Sequence, residues 1–222
     1  MLRGWLELPE SQDHPFWAVN LMKYRDLADY ADGRETTLTG KEADDLYAPH
    51  GPIEAVGGMV AFGADVADQL AGSPVYDRVA IVRYPSRAAF FEMQQREDFQ
   101  ELHAHKDAGM EFTTVIACEP DRVESATDDS DAALLMRVRR LADGAEPPGE
   151  LDDLVPLARF SCEGVIVGDE RKWDQVLFDL APPAVLDGGG ILEGTGVEDE
   201  IVMVLGSPLI DALVESVERT AD

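Results

Sequence analysis

The stretch that decides the fold is YDRVAIVRYPSRAAFFEM, which spans residues 76–93. It begins as a run of apolar and β-branched residues, a composition that favours a buried strand. Pro85 then interrupts the run, and Ser86 follows at a position where its hydroxyl can cap the first turn of a helix. We therefore predict a strand over residues 76–84 and a helix in two parts, over residues 86–93 and 98–108.

The segments on either side of this strand and helix complete one α+β unit. Strands are predicted over residues 16–24, 59–63 and 110–118, a loop over 64–75 and a helix over 40–56. Thr39 and Glu42 have the spacing of a capping box at the start of that helix. Gly57 and Gly58 can end it. The order β-α-β-β-α-β predicts a ferredoxin-like unit.

The second half of the chain repeats this pattern more weakly. Residues 119–131 are acidic and nearly free of apolar side chains, which is typical of a linker. Strands are predicted over 132–139, 160–168, 173–180 and 200–205, and helices near 150–158, 183–187 and 209–220. YDRVAIVRYPSRA recurs as WDQVLFDLAPPAV, GMVAFGAD as EGVIVGDE and VNLMKYR as ALLMRVR. We infer a tandem duplication, with one unit over 1–118 and a degenerate second unit with a C-terminal helix over 132–222.

Charge and composition narrow the classes of partner. The formal net charge is −27, and such a surface repels nucleic-acid phosphates and anionic lipids, so we expect neither nucleic acid nor membrane as a partner. The N-terminal sequence contains no apolar signal region, and no apolar stretch approaches a membrane span, so a cytoplasmic protein is expected. Cys118 and Cys162 lie in apolar strand-like segments and are expected to be buried thiols.

Proton-transfer residues concentrate in the first half, because every histidine and tyrosine precedes residue 106. His50 is the first candidate for a catalytic base, since a helix would place it on one face with Tyr47, three residues earlier. His103 is the second candidate, as a pocket wall or base. The alternative is that these histidines are only solvated polar residues.

Residues of the first and third predicted strands are candidates for substrate binding. Arg83 and Tyr84 are neighbours on a strand and must face opposite sides of the sheet, and Arg83 could bind a carboxylate or an enolate. A salt bridge is the alternative for Arg83. Asn20 shares a face with apolar residues and is either a structural hydrogen-bonding group or a ligand contact.

A metal site is not expected. His103 and His105 are two residues apart, so on a helix they point in different directions and cannot bind one ion together. We find no third ligand at a recognisable spacing, and the glycine-rich segment 187–196 has neither dinucleotide-binding nor phosphate-binding spacing. The sequence therefore predicts no metal and no cofactor.

The first half resembles the uncharacterised DUF1330 family of the dimeric α+β barrel superfamily. The resemblance covers about residues 15–118 and rests on NLMKYR, TGKEADDLYAPHG, VGGMV, YDRVAIVRYPSRAAFFEM and DFQELHAHKDAG. Phe99 and Lys106 stand where similar sequences lead us to expect Tyr and Arg. The resemblance implies an open sheet that packs face to face with a second sheet, which here could belong to the same chain as a pseudo-dimer, with a homodimer also open. The predicted fold class is therefore α+β, two tandem ferredoxin-like units packed as one barrel.

Two functional hypotheses follow. Relatives in the superfamily include cofactor-independent monooxygenases, isomerases, cyclases and haem enzymes, so the fold alone does not define the chemistry. The first hypothesis is a cofactor-independent enzyme that acts on a small organic molecule, with His50 or His103 as base. The second is a non-catalytic protein that binds a small molecule or has a structural role. An enclosed apolar cavity lined by several of the candidate residues would favour the first.

Overall fold

A computed structural model describes residues 2–5, 7–125, 132–149, 153–187 and 196–220. The strands are β1 (Phe16–Tyr24), β2 (Met59–Ala71), β3 (Arg78–Tyr84), β4 (Met110–Val123), β5 (Ala133–Leu141), β6 (Val155–Val167), β7 (Gln175–Ala181), β8 (Val197–Leu205) and β9 (Ile210–Asp211). The α-helices are α1 (Leu2–Trp5), α2 (Gly40–Leu46), α3 (His50–Ala55), α4 (Arg87–Gln95), α5 (Glu97–Gly109), α6 (Pro183–Asp187) and α7 (Leu213–Glu218). A single 3₁₀ turn covers Glu10–Gln12.

Strands β1–β8 form one closed antiparallel barrel. Their order is β3-β1-β4-β6-β7-β5-β8-β2, and β2 also pairs with β3, which closes the barrel. Within each half the order is the same: the second strand pairs with the third, the third with the first and the first with the fourth. The halves join at two places, the β4–β6 pair and the β2–β8 pair. The predicted fold class, two ferredoxin-like sheets in one α+β barrel, is confirmed.

The barrel interior is filled by apolar side chains from both halves. Successive residues of a strand face opposite sides of a sheet, so every second residue of β1 enters this core. The largest contributors are Trp17, Phe62, Tyr76, Phe160, Trp173 and Phe178, and the smaller ones include Leu21, Ile81, Ile116, Met136, Val176, Ile201 and Met203. At one end α7 is tied to β1, because the Trp17 Nε1–H donates a hydrogen bond of 2.8 Å to Ser216 Oγ. The interior therefore has a packing role.

Several boundaries differ from the sequence prediction. The helix predicted over 40–56 is broken by residues 47–49 into α2 and α3, because Pro49 cannot continue α2. Residues 64–71, predicted as loop, extend β2, since residues 64–65 pair with β3 and residues from Val66 to Ala71 pair with β8 of the second half. Part of the predicted linker likewise belongs to β4, which continues to Val123 beside β6. Both errors have one cause, because a partner strand far along the chain is not visible in local composition.

The second half has less helix than predicted. The helix predicted near 150–158 is wrong from Val155 onward, where β6 begins, and residues 150–152 lie outside the described residues. The segment predicted as a helix over 209–220 contains the short strand β9 and then α7. In the part of the chain that the structure describes, no helix is long and apolar enough to cross a membrane.

Candidate functional site

A cavity of about 560 Å³ lies between the first-half sheet and the helices that cover its outer face. This volume is within the range of pockets that hold small organic ligands, about 300–1,000 Å³. Most of its wall is apolar and comes from strands β1, β2, β3 and β4 and helices α3, α4 and α5. The main apolar residues are Ala18, Met22, Ile53, Val60, Val82, Phe90, Phe91, Met93, Phe99 and Val115.

The alternation of strand residues decides which of the predicted residues reach this cavity. Asn20 on β1 and Tyr84 on β3 face outward and line it. Arg83 has the opposite orientation and does not line the cavity. Its guanidinium donates to the carbonyl oxygens of Gly57 at 3.2 Å and Arg219 at 3.5 Å. The structure thus places Arg83 near α7, away from Tyr84 and Asn20.

Tyr47 lies at the end of α2, where the chain turns before α3, and its ring forms part of the cavity wall. The ring meets His103 and Phe99 edge to face, with centroid distances of 5.9 and 6.1 Å. Burial raises the pKa of Tyr47, with smaller contributions from Tyr84 and Asp44. Tyr47 therefore remains a neutral phenol, able to donate a hydrogen bond, throughout the neutral pH range.

Tyr84 is a second neutral phenol in the wall. Its ring stacks on Phe16 at 5.5 Å and is almost fully buried. Burial raises the pKa of Tyr84. Within the described part of the chain, neither the Tyr84 nor the Tyr47 hydroxyl has a hydrogen-bond partner. Two such hydroxyls in the wall of one cavity are available to the polar atoms of a ligand.

The two candidate histidines lie toward the edge of the cavity. His103 on α5 is partly exposed, and its Nδ1 lies 3.1 Å from a carboxylate oxygen of Asp107 one turn later. This contact orients the imidazole. His50 is the first residue of α3 and is exposed. The predicted reason for pairing His50 with Tyr47 is wrong, because the helix breaks between them, although both residues line the cavity.

Lys106 is the functional candidate that sequence reasoning missed. It follows His103 by three residues on α5, so both lie on one face of the helix, which was the available signal. Its Nζ lies 5.3 Å from the centre of the Tyr47 ring and 3.4 Å from Asn20 Oδ1. It forms no ion pair with a carboxylate among the described residues. Burial lowers the pKa of Lys106, partly opposed by the nearby charges of Asp44 and Asp107.

Asn20 connects Lys106 to the sheet. Its side-chain amide donates to the carbonyl oxygens of Ala18 at 3.0 Å and Ala80 at 3.4 Å. These bonds fix the amide so that Oδ1 points toward Lys106. Asn20 thus has a structural hydrogen-bonding role and also lies in the cavity wall.

A fully paired polar cluster forms the remaining wall of the cavity. Arg78 bonds to three carboxylates, Asp44 at 3.1 Å, Asp45 at 2.9 Å and Asp65 at 2.8 Å. The Tyr24 hydroxyl donates to Asp44 at 2.8 Å. This cluster ties α2 to β1, β2 and β3 and so fixes the start of the segment that carries Tyr47. Its polar groups are already paired, which distinguishes it from Lys106 and the two phenols.

The described residues form no cluster of metal ligands, and His103 and His105 do not share a site. No group of three or more His, Cys, Asp or Glu side chains there has the arrangement of a metal site. His105 faces away from the cavity, and its Nδ1 lies 2.7 Å from the Tyr30 hydroxyl.

Comparison with known proteins gives matches only among solved structures. No protein-family profile matches the chain, and no curated protein matches it. The RPA0582 protein of unknown function from Rhodopseudomonas palustris is 32% identical over 50% of this chain and 88% of its own length, with a TM-score of 0.44. The methylated form of that protein gives 36% identity over 50% and 86%, with a TM-score of 0.45.

Matches over nearly the whole chain have much lower identity. A mutant chlorite dismutase from Candidatus Nitrospira defluvii is 10% identical over 95% of this chain and 97% of its own, with a TM-score of 0.48. A putative monooxygenase from Fusobacterium nucleatum is 10% identical over 87% and 92%, with a TM-score of 0.44. The strand order and the closure of the sheet define the fold, an α+β barrel built from two ferredoxin-like sheets.

Proposed function

We propose that the chain is a cofactor-independent enzyme, of the isomerase, cyclase or monooxygenase type, that acts on a small organic molecule in the first-half cavity. One observation carries the proposal: Lys106, Tyr47 and Tyr84 present polar groups without strong partners to a mostly apolar cavity of about 560 Å³. We propose with it that the first half is a member of the DUF1330 family, as its sequence motifs indicate.

The lining defines the class of ligand. Phe90, Phe91 and Phe99 offer a surface for an apolar or aromatic body. Beside this surface, Lys106 and Tyr47 offer a positive charge and a hydroxyl donor. A phenol, an enol or a carboxylic acid on an apolar skeleton satisfies both, because its anionic oxygen provides the counter-ion that Lys106 lacks.

The same groups support proton transfer. A ketone or phenol oxygen held by Lys106 and Tyr47 becomes easier to convert to an enolate or phenolate, since the developing negative charge is stabilised in a water-poor site. His103, oriented by Asp107, is the proposed base that takes or returns the proton. His50, at the edge, is the alternative base in this scheme.

A non-catalytic ligand-binding protein is the second candidate. It is favoured by the exposure of His50 and by Asp107, whose side chain is 70% exposed, since these groups are then well solvated. Binding in both cases requires the cavity, so a binding measurement alone does not separate the two functions.

The binding experiment uses a panel of benzoates, phenols and cyclic 1,3-diketones, with toluene as the uncharged apolar reference, measured by calorimetry. We expect Lys106→Met to weaken binding of the anionic compounds by about tenfold or more while toluene is unaffected. Lys23→Met is the matched control, because Lys23 pairs with Asp77 at 2.9 Å and does not line the cavity. Equal loss in both variants, or no binding at all, would overturn the assignment of the cavity.

The catalytic experiment follows exchange of acidic C–H protons of bound diketones in D₂O by NMR. A catalytic base accelerates exchange, and His103→Gln should reduce the rate by about 100-fold. His50→Gln tests the alternative base in the same assay. Binding without any accelerated exchange or turnover would favour the non-catalytic protein.

A further inference from the structure

Two cysteines face each other where the halves of the barrel join. Cys118 on β4 and Cys162 on β6 are direct partners in the antiparallel pairing, 44 positions apart in the chain. Their Sγ atoms are 3.7 Å apart, and the Cys118 thiol donates weakly toward Cys162. Both side chains are directed to the same apolar core of the barrel. Neither cysteine is among the residues that line the cavity described above.

The backbone geometry suits a covalent bond between them. Directly opposed residues of an antiparallel pair have Cβ atoms about 4.5–5.5 Å apart, close to the roughly 3.5–4.5 Å that a disulfide requires. The pairing shifts register between Ala117 and Cys118, so the strand is locally irregular at this point. Bond formation requires the two sulfur atoms to approach from van der Waals contact, with no rearrangement of strand order.

We propose that Cys118 and Cys162 form a disulfide-bonding site that links β4 covalently to β6 when the protein meets a small disulfide oxidant. In the first step the Cys162 thiolate attacks one sulfur of the oxidant, which forms a mixed disulfide and releases one thiolate. In the second step Cys118 loses its proton to solvent and attacks Cys162 Sγ, which forms the protein disulfide and releases the second thiolate. Two protein thiols are oxidised and one disulfide is reduced to two thiols.

The environments of the two thiols assign the order of attack. Cys162 is partly exposed and can be reached by a small oxidant, whereas Cys118 is fully buried. Burial also raises the pKa of the Cys118 thiol, with further contributions from Cys162 and Glu163, so it is the poorer first nucleophile. Once Cys162 carries the mixed disulfide, Cys118 is held beside it. This proximity compensates for the low intrinsic reactivity of the buried Cys118 thiol.

The bond would stabilise the barrel at one of its two joins. It closes residues 119–161 into a loop, and it ties the last strand of the first half to the second strand of the second half. For a loop of this length in a chain of this size, we expect the melting temperature of the oxidised protein to rise by roughly 5–10 °C.

The experiment exposes the native, reduced full chain to glutathione disulfide and follows intact mass and peptide maps. We expect the wild type to lose the mass of two hydrogen atoms, with one cross-linked peptide pair that contains Cys118 and Cys162. Cys118→Ala should stop at the first step and carry one glutathione on Cys162. Cys162→Ala should remain unmodified under the same native conditions.

Three results would overturn the proposal. They are a wild type that keeps two free thiols, a wild type that stops at the mixed disulfide, and cross-linking only between separate chains. Circular dichroism of each reduced variant checks the fold. If Cys118→Ala does not fold, the wild-type peptide map decides alone, and the melting temperature with and without reductant gives the second readout.

Discussion

The two halves of the barrel share one strand order but differ in what covers their outer faces. In the first half, α2–α5 lie over the sheet and leave a cavity between sheet and helices. In the second half, the described residues between β7 and β8 provide only the short helix α6. There the outer face has two buried ion pairs, Arg137 with Asp179 and Arg139 with Glu200.

This difference bears on where the proposed site lies in the chain. The interior of the barrel is built equally from both halves, so closure needs the strands but not the helices. All polar residues in the cavity wall come from the first half, while the second half contributes only apolar residues such as Ile166 and Ile210. The described part of the second half has only the short α6 between β7 and β8, and its strands support the first half by packing.

The largest effect on stability is expected at the buried ion pair on the outer face of the second-half sheet. Arg137 and Asp179 have side chains only 2% and 5% exposed, and Arg137 Nη1 has no hydrogen-bond partner among the residues that the structure describes. Asp179→Leu leaves the arginine charge buried and unpaired, so we expect a loss of about 3–5 kcal/mol in the free energy of unfolding. Urea unfolding at neutral pH measures it.

The double variant Arg137→Leu/Asp179→Leu is the control for this result. Burial lowers the pKa of Arg137 and raises that of Asp179 in spite of their mutual attraction, so loss of water outweighs pairing in this pair. We therefore expect the double variant to recover most of the loss, or to exceed the wild type. If the double variant is as unstable as the single one, the ion pair itself stabilises this face of the sheet, and apolar side chains cannot substitute for it.

The fold could be predicted from sequence where the signal is local. β1 was predicted with its observed bounds, and the Thr39–Glu42 capping box and the Ser86 cap are confirmed. The extension of β2 and β4 was missed because their partners lie in the other half, more than a hundred residues away for β2. A helix was also predicted near 150–158 in the second half, and from Val155 onward the pairing of β6 with β4 and β7 overrides it.

The second-largest effect on stability is expected at Lys106. Unlike Arg137 and Arg139 of the second half, it forms no ion pair with a carboxylate among the described residues. Because burial disfavours its ammonium and no carboxylate pairs with it, Lys106→Met should stabilise the protein by about 1 kcal/mol at neutral pH. The melting temperature should rise by about 2–4 °C. Lys23→Met should not stabilise it, since it removes the ion pair with Asp77.

The gain from Lys106→Met should depend on pH in one direction. The pKa of Lys106 is lower in the folded chain than in the unfolded chain. The penalty is therefore complete below the folded pKa and shrinks as pH rises from there toward the unfolded value of about 10.4. Wild type and Lys106→Met should converge in stability near that pH. A gain that stays constant across the whole range would show that shape, and not charge, explains it.

The candidate site was only partly accessible from sequence. Residue type and local spacing were enough to select Asn20, Tyr47, His50, Tyr84 and His103, which all line the cavity. Which of two neighbouring strand residues faces the helices could not be decided, so Arg83 was selected together with Tyr84. Lys106 was passed over because a lysine near the end of a helix in an acidic protein is ordinarily a solvated charge, and its burial depends on the packing of α5 against β1.

The smallest effect tests whether the first-half helices depend on their own local signals. Thr39→Ala removes the side chain that accepts from the Glu42 amide and that, with its backbone, holds the Glu42 carboxylate. A loss of about 1 kcal/mol is expected by urea unfolding. Hydrogen bonds from Thr39 lower the pKa of Glu42, so this contribution is present above the unfolded pKa of about 4.3 and fades as pH falls through the lower folded value. Ligand affinity should change by less than about threefold, because the Asp44–Arg78 cluster still fixes α2. A much larger loss of ligand affinity would mean that the capping box positions Tyr47. An unchanged free energy of unfolding would mean that α2 is held entirely by its contacts with α5 and the sheet.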